Sequence, residues 1–201
     1  MIPGAKPSAA VLSAILLLSA CGVRGEVLTD DQAAGAQGVE AAKGVRVYKP
    51  DYPQYLSAEE LLQAASVVVR ARSVGPGRVM KLLPTSRQGG AGQAVDEGVI
   101  VTVTTFRVAA VIKGQLDRGA LIEIKQLGGL FEGVNYVEEG AAPLRRDTVY
   151  DLFLQTYPDA PASLLNPVQG QYVVQADGRS ASLPGNTVTV NAEELLAPTT
   201  S

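Results

Sequence analysis

From Ser66 onward the apolar residues of this chain fall at every second position, the period of a half-buried strand. "SVVVRARSV" (66–74) puts Val67, Val69 and Ala71 on one face and Val68, Arg70 and Arg72 on the other. The β-branched run "VIVTVTTFRVAAVIKG" (99–114), then "ALIEIKQL" (120–127) and "TVYDLFLQTY" (148–157), read as further strands. "GQYVVQADGRSASL" (170–183) reads as a hairpin about Asp177-Gly178, a pair suited to a tight type I′ turn. "TVTVN" (187–191) adds a last strand. Five to seven strands with little helix predict a mostly β domain, an antiparallel barrel or sandwich.

The pattern changes ahead of Ser66. Ser57 and Glu60 have the spacing of a capping box, and Leu61, Leu62 and Ala65 form one apolar stripe, so a short helix is expected there. A second "AEELL" at 192–196 predicts another helix start. "VYKPDYPQY" (47–55) carries three tyrosines and two prolines and is expected to pack over an end of the barrel. Residues 22–46 are small and polar with no sustained apolar period. They read as a flexible tether, whose end-to-end distance would be roughly 25–30 Å. The expected organisation is therefore a leader at 1–20, Cys21 with the tether to residue 46, one β domain at 47–197, and a tail at 198–201.

The leader carries most of the functional information. Ala9 to Leu18 run apolar except for Ser13, too short a stretch to span a bilayer but suited to the core of a secretory signal. It ends on Leu18, Ser19, Ala20 and then Cys21, the only cysteine of the 201 residues. This resembles the lipobox of bacterial lipoproteins. The resemblance implies a diacylglycerol on the Cys21 sulfur and cleavage after Ala20, with Leu18, Ser19 and Ala20 recognised by the signal peptidase. One acyl chain binds a membrane marginally, whereas two or three hold it firmly. The expected location is the extracytoplasmic face of a cell membrane, inner or outer.

Composition narrows the chemistry. The chain has a formal net charge of −3, and losing Lys6 with the leader makes it −4, which argues against nucleic acid. An acylated Cys21 leaves no disulfide, so the core alone must hold the fold. Histidine is absent, which removes the commonest general base and the usual zinc ligand. Neither a Ser-x-x-Lys nor a Gly-x-Ser-x-Gly motif occurs. "RQGGAGQ" (87–93) is glycine-rich without the Gly-Lys-Ser/Thr ending of a phosphate loop, and reads as a floppy loop. The acidic pairs Asp30-Asp31, Asp96-Glu97 and Glu138-Glu139 lack the alternating register of a calcium loop, and read as solvated charge. No catalytic residue, cofactor or metal is expected.

"ASVVVRARSV", "TFRVAAVIKG", "ALIEIKQLGG", "DTVYDLFLQ" and "GQYVVQADGR" resemble the OB-like barrel of netrin-like modules, which include the tissue inhibitors of metalloproteases. The resemblance covers residues 65–179 and implies a small OB-like barrel with one or two short helices. It gives no support to protease inhibition, because those inhibitors are stapled by disulfides and chelate metal through a free amino-terminal cysteine, whereas Cys21 is expected to be lipidated.

The expected function is non-enzymatic: a lipid-anchored module binding an envelope protein or supporting an assembly. An envelope hydrolase using acidic or Ser/Lys groups and a purely structural lipoprotein are the alternatives. With strands at 66–74, 99–112, 120–127 and 148–156 connected up and down, the long links 75–98 and 128–147 fall at one end of the barrel. The second link carries Phe131, Tyr136, Arg145 and Arg146, apolar area beside cations, and is the expected partner-binding loop unless its aromatics plug the barrel.

Overall fold

Where the apolar positions alternate, the backbone is extended and paired. The structure, a computed structural model, describes residues 43–83 and 98–191, all within one compact unit. The leader, Cys21, residues 22–42, the segments at 87–93 and 96–97, the second helix start at 192–196 and the tail lie outside the described residues.

The described chain is mostly β. In order it forms β1 (Gly44–Tyr48), α1 (Ala58–Ala64), β2 (Val67–Ser73), β3 (Arg78–Leu82), β4 (Val99–Lys113) and β5 (Leu121–Leu127). There follow β6 (Gly129–Phe131), β7 (Val134–Glu138), β8 (Val149–Tyr157), β9 (Ala160–Leu164), β10 (Gln171–Val174) and β11 (Ser180–Ser182). Eight strands share one sheet in the order β11-β10-β8-β2-β4-β5-β9, with β3 on β4. A smaller sheet runs β1-β7-β6. β4 is long enough to pair β2 along its second half and β3 along its first. β9 pairs antiparallel with β8 and parallel with β5, the latter through only Ile124↔Ala162 and Lys125↔Ser163.

The two faces expected of β2 go to two different cores. Val67, Val69 and Ala71 join Phe106, Ile124 and Leu152 in a cluster to which β2, β4, β5, β8 and β9 all contribute. Val68 points the other way, with Phe153 and Tyr172, into a cluster closed by Leu61 of the helix and Ala65 just past its end. At roughly 25 cal/mol per Å² of apolar surface removed from water, burial on both faces is the main stabilising term. The helix cap forms in modified shape. Ser57 Oγ accepts the Glu60 N–H at 3.2 Å, but Glu60 reaches back to the Leu56 N–H at 2.8 Å, one residue before the cap.

Several expectations are corrected. The described residues hold eleven strands rather than five to seven, because β3, β6, β7 and β9 occupy segments read as links and β1 forms across the end of the expected tether. The connection is not up and down: β8 returns to pair β2 instead of following β5. Links 75–98 and 128–147 still begin and end beside the Ser73 end of β2, since Arg72 pairs Val149 and Val101 pairs Leu127. The boundary at residue 47 falls inside β1, which pairs in parallel with β7 from Gly44↔Val134 to Tyr48↔Glu138. Residues 187–191 are not a strand, although Val188 and Val190 are buried; their alternation packs them inward without a ladder. At the last hairpin only Gly178 takes a positive φ of 86°, while the Gly178 N–H bonds Gln175 O at 2.9 Å. That is a type I turn followed by a left-handed glycine, not a type I′ turn.

Candidate functional site

A cavity of about 490 Å³ opens where β5 and β9 part. Their pairing stops at Lys125↔Ser163, so Gln126 and Leu127 continue β5 without a partner on that side. Val99 and Val101 of β4, Leu127 and Leu164 make the walls apolar. Residues 49–56, within the Tyr/Pro segment, cross this opening as a strap. Gln169 holds the Tyr55 backbone at both ends, accepting its N–H at 3.0 Å and donating to its carbonyl at 2.8 Å. Asn166 Nδ2 donates to Pro53 O at 3.1 Å. Tyr52, Pro53 and Tyr55 thereby line the cavity.

The polar groups in this cavity are few. Tyr52 Oη donates to Glu138 Oε1 at 2.5 Å, and Glu138 is only 9% exposed. Burial pushes the Glu138 carboxyl above the usual carboxylate range, against the opposing pull of the Tyr52 hydrogen bond. Burial also raises Tyr52 well beyond its ordinary value, helped by the hydrogen bond to Glu138 and that carboxylate's charge. Lys125 Nζ lies 4.4 Å from the centre of the Tyr157 ring, a cation–π contact inside the same cavity. Gln126 uses both ends of its amide on the following loop, donating to Ala142 O and accepting from the Leu144 N–H. Gln126, Leu127 and Glu138 also line a second cavity of about 270 Å³ beneath β6 and β7.

The Glu138-Glu139 pair therefore splits. Glu139 is exposed and pairs with Lys49 at 3.0 Å, as solvated charge does, but Glu138 turns inward. The signal was the parity of "VNYVE": Val134, Tyr136 and Glu138 occupy one face of β7. β9 was missed because Pro161 interrupts its alternation, although Pro158-Asp159 between β8 and β9 is a recognisable turn pair.

Of the expected partner-binding residues, Phe131 ends β6 and Tyr136 lies in β7. Tyr136 stacks on Tyr48 with ring centres 5.8 Å apart, and the Arg46 guanidinium sits 5.9 Å from the Tyr136 ring centre. Neither aromatic belongs to the two core clusters, so neither plugs them. Arg145 and Arg146 are exposed, Arg146 pairing with its neighbour Asp147 at 3.3 Å. The Arg145 backbone is fixed by the Tyr150 and Ser73 hydroxyls at 2.8 and 2.7 Å. Among the described residues no hydrogen bond or cation–π contact joins Arg145 or Arg146 to Phe131 or Tyr136. Among the described residues no three acidic or cysteine side chains converge as metal ligands, and no helix is long and apolar enough to cross a membrane.

The chain matches no protein-family model, no curated protein and no solved structure.

Proposed function

We propose that this protein is a lipid-anchored, non-enzymatic binding module of a bacterial envelope, built on an OB-like barrel that holds a ligand in the cavity between β5 and β9. The single observation that carries the binding role is that cavity. Its volume lies within the range of roughly 300–1,000 Å³ typical of ligand sites, and its walls are apolar around a few polar groups with a perturbed carboxyl.

The barrel reading is supported by the pairing order. β2, β4 and β5 form a meander, β8 returns beside β2 as in a Greek key, and β9 links β8 to β5. The netrin-like resemblance over 65–179 points to the same architecture. The anchor rests on Leu18, Ser19, Ala20 and Cys21. Fatty-acid labelling in cells tests it: the native chain takes the label and Cys21→Ser does not. Label retained on the variant, or absent from the native chain, overturns it.

The cavity is tested with a neutral apolar fluorescent probe. Binding at one site, abolished by Ser163→Phe with Tm preserved, is the expected result. Absence of binding overturns the role and favours a purely structural lipoprotein. A hydrolase reading has one supporting observation: Lys125 and Ser163 are register partners lining the same cavity. They share no hydrogen bond, which a Ser–Lys nucleophile requires. Labelling of Ser163 by a fluorophosphonate would replace the binding role with that one.

A further inference from the structure

Glu138 brings a charge into the cavity for which the described residues supply no counterion. Its Oε1 is engaged by a neutral phenol, Tyr52. Its register partner on β1, Tyr48, spends its hydroxyl oxygen accepting the Ile100 N–H at 3.0 Å. Its chain neighbour Glu139 faces away, toward Lys49. Lys125, the cation on the β5 side of the cavity, is against Tyr157 and forms no ion pair with Glu138. None of the ion pairs among the described residues includes Glu138. Buried carboxylates are otherwise paired, because an unpaired charge removed from water is costly.

We propose that the cavity takes an organic cation with an apolar body, its ammonium or guanidinium group against Glu138 and its hydrocarbon along Val101, Leu127 and Leu164. This rests on the cavity being the binding site. Three observations converge on that class. The charge at Glu138 selects a cation over an anion, and a cation returns to the carboxylate the partner that burial took away. Tyr52, Tyr55 and Tyr157 line the same space, and aromatic faces attract cations. The remaining wall is hydrocarbon, which a small hydrated metal ion would not use.

The test uses three ligands with one chain length: n-octylammonium, 1-octanol and octanoate, titrated into the full chain by calorimetry. The ammonium should bind about tenfold tighter than octanoate, the factor that one charge-assisted hydrogen bond supplies, with the alcohol between them. Glu138→Gln keeps an acceptor for Tyr52, and should bring the three within about threefold of one another while Tm holds or rises. In the native chain the ammonium preference should shrink as acid protonates Glu138. The other titratable groups that face the site are Tyr48, Tyr52, Tyr55, Tyr157 and Lys125, all phenols or an ammonium, and Glu139 is turned outward toward Lys49. Equal binding of all three ligands, or a preference that survives Glu138→Gln, overturns the cation assignment and leaves the cavity as a binding site. Failure of all three to bind overturns the cavity itself.

Discussion

Arg70 and Asp151 face each other across β2 and β8, joined by Nε to Oδ1 at 2.8 Å and Nη2 to Oδ2 at 2.9 Å. Asp151 is fully buried, and it also accepts a hydrogen bond from the Ser180 hydroxyl of β11. Arg70 Nη2 donates again to Gly178 O at 3.2 Å. The pair therefore fastens the last hairpin to the centre of the large sheet. The Arg70 guanidinium is held above its usual range chiefly by the hydrogen bond to Asp151. Because breaking such a pair strands a buried charge, Asp151→Ala should cost about 3–5 kcal/mol. Arg70→Met combined with Asp151→Leu should cost clearly less than Asp151→Ala alone. Urea unfolding of these variants measures both; equal losses would mean that the stranded charge is not the cause.

Glu138 gives a pH-dependent prediction with a definite sign. Its carboxyl is raised in the fold above the ordinary 4.5, so the native state holds that proton more tightly than the unfolded chain does. Stability from this residue is fully present below that ordinary value and is lost as pH rises through the raised one. Glu138→Gln should therefore unfold at a higher temperature than the native chain at pH 7, and the gap should close near pH 4. A gap that widened in acid would reverse the assignment.

Glu132 occupies a turn position built for another residue. Between β6 and β7, Glu132 and Gly133 both take positive φ, 50° and 78°, the geometry of a type I′ hairpin that asparagine-glycine fits best. Left-handed backbone disfavours a side chain such as glutamate. Glu132→Asn should raise Tm by about 1–3 °C, since ~1 kcal/mol moves a domain of this size by roughly 2–4 °C. Calorimetry of the two chains checks it.

The role of β1 separates two shortened chains. One beginning at Lys43 keeps the five pairs from Gly44↔Val134 to Tyr48↔Glu138 and the Lys43 N–H bond to Gly133 O at 2.5 Å. One beginning at Val47 loses most of them. The second should unfold several degrees below the first, and the amides of β7 should exchange faster. Identical melting would show that β1 contributes nothing to the fold.

The large sheet was legible where strands are buried on at least one face and long enough to show alternation. β2, β4, β5 and β8 lie within a residue or so of the segments expected for them. Short or interrupted strands were not: β6 has three residues, and β9 contains Pro161. Strand order was not legible either. Nothing local to Val149–Tyr157 says that its partner is β2 rather than β5, because that choice is made by packing Leu152 and Leu154 against Val67 and Val69. The cavity was out of reach for the same reason. Glu138, Tyr52 and Lys125 come from three separate segments, and only the tertiary packing brings them to one space.

β2 is central in the large sheet, yet one of its two neighbours comes from far along the chain: Arg70 and Asp151 are 81 positions apart. As a chain emerges amino end first, β2 and β4 can pair early, but the other edge of β2 must wait until β8 has followed. That open edge is a row of unpaired backbone groups with valine side chains on both faces. Distant pairing of this kind makes folding slow, on the order of milliseconds to seconds, as stopped-flow refolding would record. For that interval the nascent protein carries this valine-rich edge unguarded, so its yield should depend on how quickly residues 149–157 arrive, a demand on synthesis rather than on the finished fold.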